Sequence, residues 1–207
     1  MDKSFALATA LFPNEEWISH GKGIFVAKSR LRNTPKERAK LAWEIEQISV
    51  FIKPESSVYF LPELENDDNL GKLSADAVID GEIVEIKTVS GTRATLGTEF
   101  RKGYKQGSYL CGILSEIKAH SVFIRLFSNL SPGSVKAKIA GELKNRTDNG
   151  RFICYFEALG TLYSWTYDEL RGIMSGGQKK SPGSVEPGSA EEAIRGRRLP
   201  PPPPVAL

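Results

Sequence analysis

The chain has little of what disulfide frameworks, zinc sites and membrane helices are built from. Its two cysteines, Cys111 and Cys154, stand far apart in apolar surroundings, YLCGIL and FICYF. A free thiol packs there as a small hydrophobe, so buried free cysteines are expected instead of a disulfide. Histidine is equally scarce, with only His20 and His120, and no Cys/His cluster has metal-ligand spacing. No apolar run approaches the roughly 20 residues of a membrane-spanning helix, so no membrane insertion is expected. Internal repeats are absent. Neither sign of charge dominates: 28 Lys and Arg stand against 25 Asp and Glu, for a net charge of +3. That balance permits a nucleic-acid partner without arguing for one.

What is present suits one packed domain with an appendage. The 207 residues are 40% hydrophobic and 26% charged, ordinary values for a globular protein. Composition changes abruptly at Ser175, beyond which Gly, Ser and Pro dominate and Pro200 to Pro204 form a run. Residues 175–207 therefore read as a disordered tail with polyproline II character, and residues 1–174 as the domain, with its core at about 34–170. Phe5 to Phe12 faintly imitates a signal peptide, but it runs into Pro13-Asn14-Glu15-Glu16 and reads better as a short helix.

Helix and strand signals alternate through the domain. Thr34-Pro35-Lys36-Glu37 has the pattern of a helix start, and Leu41, Ile45, Ile48 and Ile52 line one face of a helix over 35–52. His20 to Gly23 reads as a turn before a strand at Ile24 to Val26. Further strands are expected at Val58 to Leu61, across SADAVIDGEIVEIKT (74–88), at Ser121 to Phe127, and in a hairpin over Arg151 to Tyr167 turning near Leu159-Gly160. An acidic loop holds Glu65, Asp67 and Asp68. Helices are expected over 98–118, despite Gly103 and Gly107, over 134–144 and at Asp168 to Met174. The sum is an α+β fold: a central, mainly antiparallel or mixed sheet with flanking helices.

The hairpin carries the chemistry. Asp-Gly between apolar runs signals a type I′ turn, which needs positive φ at both central residues. With Asp80-Gly81 as the two-residue loop, Ile79 faces Glu82, Val78 faces Ile83, Ala77 faces Val84 and Asp76 faces Glu85. The two carboxylates then stand opposite on one face, Cβ atoms about 5 Å apart, with Lys87 on the same face and diagonal to Asp76. The other face is apolar as well, through Ala75, Ala77, Ile79, Val84 and Ile86, so the pair is expected in the middle of its sheet, where charge is costly. Two opposed carboxylates repel, and one takes up a proton unless a cation intervenes. Mg²⁺ fits that place, since it prefers carboxylates, water and phosphate oxygens. A divalent ion on Asp76 and Glu85, with Lys87 beside it, is the composition of a phosphodiester-cleaving site. A purely structural ion pair of Lys87 with Glu85 or Asp76 is the alternative that the same residues allow.

Asp, eight residues, then Glu-x-Lys on a β-hairpin resembles the PD-(D/E)xK nuclease motif, with Ala75 where that motif has proline. The surrounding order fits over about 34–127: a helix with an acidic residue (Glu44), a strand, the hairpin, a helix with Arg101, Lys102, Lys105 and Gln106, and a strand. More closely, the sequence is similar to the C-terminal nuclease domains of contact-dependent growth inhibition toxins, identified as tRNases, and to their relatives on phage structural proteins. Phe60-Leu61-Pro62-Glu63, the Ala75 to Lys87 hairpin, the basic FRKGYKQ segment (100–106) and the late TLYSWTYDEL carry that likeness. The resemblance implies a toxin-type endonuclease that acts on nucleic acid, with tRNA favoured, in the bacterial cytoplasm. It implies catalytic roles for Asp76, Glu85 and Lys87, with Asp76 and Glu85 as metal ligands and Glu44 or Glu63 as a further carboxylate. Arg101, Lys102, Lys105 and Gln106 would bind substrate, and an immunity protein would be a partner.

Two other readings stay open. Some of these toxins group with the barnase, EndoU and colicin-type ribonucleases, which use no metal and cleave through the RNA 2′-hydroxyl. Such enzymes use His, Glu, Lys or Arg as acid and base, and Lys87 with Arg101 or Lys105 would stabilise phosphate charge. His120 reads as a surface or turn residue at a strand start, not as a catalyst. Arg93, Arg101, Lys102 and Lys105, with Tyr104 interleaved, suit phosphate contact and base stacking as well as they suit a solvated face. Lys28, Arg30, Arg32, Lys36, Arg38 and Lys40 form a second, weaker basic stretch. From a different class, a non-catalytic module of a phage or secretion system with a proline-rich docking tail would explain the same chain.

Overall fold

The computed structural model describes residues 2–31, 34–63, 75–114 and 119–175, all within one compact unit, Met1–Gly177. The acidic loop of Glu65, Asp67 and Asp68, and the tail beyond Ser175, lie outside the described residues.

The chain opens with α1 (Lys3–Leu11), β1 (Trp17–Gly21), β2 (Ile24–Ala27) and the short α2 (Lys28–Leu31). There follow α3 (Pro35–Ile48), β3 (Val58–Phe60), β4 (Ala77–Ile79) and β5 (Glu82–Val89). The long α4 (Arg93–Ile113) leads to β6 (His120–Leu126) and α5 (Pro132–Leu143). The chain then forms β7 (Arg151–Phe156), β8 (Thr161–Thr166) and α6 (Tyr167–Ser175). Among the described residues, eight strands join one sheet in sequence order. Pairing is parallel for β2/β3, β5/β6 and β6/β7 and antiparallel for the others, so the sheet is mixed and the fold α+β. Each parallel pair is bridged by helix, as a parallel connection requires: α2 and α3, then α4, then α5.

The β4/β5 hairpin has the register that its turn dictates. Asp80 and Gly81 have φ of 51° and 83°, the left-handed pair of a type I′ turn. Ala77, Val78 and Ile79 face Val84, Ile83 and Glu82. The hairpin occupies the fourth and fifth places of the sheet, and both faces are covered. On one face, Ala77, Ile79, Val84 and Ile86 pack with Val58, Phe60 and the α3 residues Leu41 and Ile48. On the other, Val78 and Ile83 meet Leu110 of α4 and Ala8 and Leu11 of α1. Farther along that second face, Leu96, Phe100 and Tyr104 of α4 join Val122, Ile124, Phe152 and the α5 residues Val135 and Ile139.

Three local features differ from expectation. The turn at Gly21 to Gly23 is the tip of a hairpin, because Trp17 to Gly21 pairs with β2 through a bulge after Ser19. The helix α3 stops at Ile48, where Phe51 N and Ile52 N both donate to Ile48 O and close the chain ahead of Pro54. Finally, α4 starts at Arg93, earlier than expected, because Thr92 caps it by accepting from Thr95 N at 3.4 Å.

The glycines that weaken α4 as a helix are the ones that lie against the sheet. A Cβ on Gly103 would sit 3.0 Å from Glu85 Cγ, and one on Gly107 would sit 2.3 Å from His120 Cδ2. At these two glycines the helix backbone lies directly against Glu85 and His120.

Candidate active site

Asp76 immediately precedes β4, so extending the hairpin register by one step sets it against Glu85. Asp76 is 7% exposed and Glu85 fully buried. Asp76 Oδ2 accepts a hydrogen bond from Ile86 N at 2.9 Å. Glu85 Oε1 is ion-paired to Lys87 Nζ, while Glu85 Oε2 is buried with no hydrogen-bond partner. Burial, reinforced by the neighbouring Asp76 charge, pushes the Glu85 carboxyl well above its ordinary pKa, and Lys87 only partly offsets this. Asp76 and Glu85 are thus neighbouring carboxyls whose charges oppose one another. For Lys87, burial alone would lower the ammonium's pKa. The charges of Glu85, then Asp76, and more weakly Glu99 outweigh it and hold the group above its ordinary value. Thus all three hairpin residues expected from the sequence meet on one buried face.

The basic segment of α4 divides. Lys102 is ion-paired to Glu99 at 2.7 Å, and Glu99 is the α4 carboxylate whose charge reaches Lys87. Lys102 and Lys105 are both exposed on that helix. Gln106 is half-buried. Arg101 turns the other way, toward α5, where it binds both Glu142 oxygens at 3.1 Å, and it also donates to Thr98 Oγ1 of its own helix at 3.1 Å.

Glu44 and Glu63 converge on a residue that the sequence did not single out within its basic stretch. Arg30 is 4% exposed. Its Nη2 pairs with Glu44 Oε2 and lies 3.3 Å from Glu63 Oε1. Its Nη1 reaches the main-chain oxygens of Asp76 at 3.3 Å and Leu61 at 3.4 Å, and the guanidinium stands over the Phe60 ring. Lys40 binds both carboxylates from the rim, at 3.3 Å and 3.0 Å. Glu99 was also missed. It sits one helical turn before Gly103, the glycine pressed on Glu85, and that spacing was the available signal.

His120 is not on the surface. It is fully buried on β6, one strand over from Ile83, with edge contacts to Tyr104 and Tyr167. Space for it comes from Gly107, whose missing side chain the imidazole replaces. Burial drives its pKa down to about 4 against the pull of Asp148 and Glu82, so the ring is neutral at pH 7. Both thiols are free, Cys154 buried and Cys111 half-buried.

Chemically, the centre offers two carboxylates in contact, one of their oxygens unsatisfied, and an ammonium held protonated beside them. Among the described residues no set of three His, Cys, Asp or Glu side chains is arranged to hold a metal ion. No protein-family model matches the chain, and neither the curated proteins nor the solved structures yield a match.

Proposed function

We propose that the chain is a toxin-type endonuclease that cleaves nucleic-acid phosphodiester bonds, acting on RNA and favouring tRNA, at Asp76, Glu85 and Lys87. One observation carries the reading: a fully buried carboxylate oxygen, Glu85 Oε2, is left without a partner next to a second carboxylate. As architecture this is expensive, since a buried carboxyl set against a second carboxylate is destabilising even with Lys87 beside it, and an apolar pair would fit the same strands. As a cation site it is economical, because the unsatisfied oxygen and Asp76 are the donors that a hard divalent ion such as Mg²⁺ takes. The order α3, β3, β4, β5, α4, β6 supports the likeness to the PD-(D/E)xK core. The preference for tRNA rests on the similarity to growth-inhibition toxin domains, as does an immunity protein as partner.

In this reading Asp76 and Glu85 hold the ion, which when bound supplies charge neutralisation at the phosphate and lowers the pKa of water. The remaining work is done by the protein. Ile86 N fixes Asp76, and Lys87 fixes Glu85, so the two carboxylates keep their separation without substrate. The Lys87 ammonium, kept protonated by Glu85 and Asp76, donates to a non-bridging phosphate oxygen and offsets charge as it develops. The α4 wall above Gly103 excludes bulk water, and Lys102 and Lys105 attract the phosphate backbone.

A second reading has its own support in the direct Glu85 to Lys87 contact. There Glu85 accepts the proton of an RNA 2′-hydroxyl and Lys87 stabilises the phosphate, without a metal. The test common to both is inducible expression in a bacterial host. The wild type should arrest growth and degrade tRNA, and Lys87→Ala should do neither. Equal growth of the two strains with intact tRNA would favour a non-catalytic phage or secretion module.

A further inference from the structure

The buried Arg30 fork is the other costly feature of this end of the sheet. It is held by two carboxylates, Glu44 and Glu63, and it spends its second nitrogen on the carbonyls of Leu61 and Asp76. Those two residues are where β3 and β4 part. Leu61 N donates to Asp76 O at 2.9 Å, one step beyond Phe60 and Ala77, the end of the strand register among the described residues. Without a clamp the Asp76 peptide would end a ladder, and strand ends fray. Arg30 holds that same carbonyl, so the peptide carrying the Asp76 side chain is fixed from one side of the sheet while Ile86 N fixes its carboxylate.

We infer that Arg30 is a positioning residue for Asp76, and that Glu44 and Glu63 serve the active site by orienting the Arg30 fork instead of acting as ligands. A guanidinium suits this because its planar fork reaches two carboxylates and two carbonyls at once, which a lysine ammonium cannot do. The assignment rests on the proposed nuclease reading for its consequence, but the positioning itself is measurable without activity.

The experiment compares wild type, Arg30→Lys and, as a milder lesion that keeps the buried cation, Glu63→Gln. Hydrogen exchange of the Ile86 amide is read against the Val122 and Ile124 amides on β6. Selective acceleration at Ile86, by about tenfold in Arg30→Lys and by less in Glu63→Gln, is the expected result. A uniform rise at all three amides, or no change at Ile86 in either variant, overturns the inference. In the same samples kcat for tRNA should fall about 100-fold in Arg30→Lys at unchanged KM, the cost of a displaced catalytic carboxylate. If Ile86 responds selectively while the wild type cleaves nothing, the positioning role stands and the nuclease reading falls. If Arg30→Lys does not fold, Glu63→Gln alone decides.

Discussion

Lys87 closes on one oxygen of Glu85 and leaves the other, Oε2, buried and unsatisfied beside Asp76. An ion pair selected for stability would satisfy both oxygens, so the arrangement separates function from architecture in ways that mutation can read.

Lys87→Ala should reduce cleavage about 100-fold or more, the usual worth of a positioned donor at a developing charge. The protein should still fold but with a lower Tm, since the pair is largely buried, its side chains 20% and 0% exposed, and removing Lys87 leaves a buried carboxyl that must take up a proton. Far-UV circular dichroism with a cleavage assay checks both halves. Loss of folding together with activity would return Lys87 to a structural role.

Glu85→Gln should abolish cleavage and raise stability. The Glu85 pKa is higher folded than unfolded, so the fold favours its protonated form. That contribution is fully present below the unfolded pKa and is lost as pH rises through the folded one. The variant lacks this loss, so its Tm advantage should grow from pH 4.5 upward and reach at least about 2 °C at pH 8. A Tm lower than wild type at pH 8 would mark Glu85 as a structural partner of Lys87.

His120 predicts acid sensitivity of the opposite sign. Its pKa falls from about 6.5 unfolded to about 4 folded, so its contribution is present above the unfolded pKa and lost as pH drops toward the folded one. The loss between pH 7 and pH 5 is about 2 kcal/mol for a fully buried ring. Urea unfolding at the two pH values should show that loss in the wild type and a smaller one in His120→Gln.

Gly103→Ala tests how tightly the helix presses on the site. Alanine gains up to about 1 kcal/mol as a helix former, but its methyl would stand 3.0 Å from Glu85 Cγ and 3.1 Å from Val122. Stability should change by less than about 1 kcal/mol in either direction, while kcat falls because Glu85 is displaced. Wild-type kcat in this variant would show that Glu85 does not touch the reacting groups.

Much of the hairpin was legible in advance because its cause is local. The Asp-Gly turn sets the register, strand parity places Asp76, Glu85 and Lys87 on one face, and apolar residues on both faces place the pair centrally. Arg30 was not legible, since it sits in a run of lysines and arginines that reads as solvated charge. Its burial arises only when α2 meets the ends of β3 and β4, far away in sequence. His120 was misjudged for a similar reason: the space it fills is made by Gly107 on α4, where the sequence shows only a weakened helix. The strand β1 was hidden because WISHG has little alternation and pairs through a bulge.

The central claim is tested most directly by incubating purified protein with total tRNA and, separately, with duplex DNA, each with Mg²⁺ and with EDTA, alongside Lys87→Ala. The account predicts discrete tRNA fragments from the wild type with Mg²⁺, none with EDTA, none from Lys87→Ala, and little DNA cleavage. Fragments that persist in EDTA but vanish in Lys87→Ala would replace the metal route with the metal-free one on the same hairpin. Intact tRNA and DNA under every condition, or cleavage by Lys87→Ala equal to wild type, would contradict the assignment of Asp76, Glu85 and Lys87 as a phosphodiester-cleaving site.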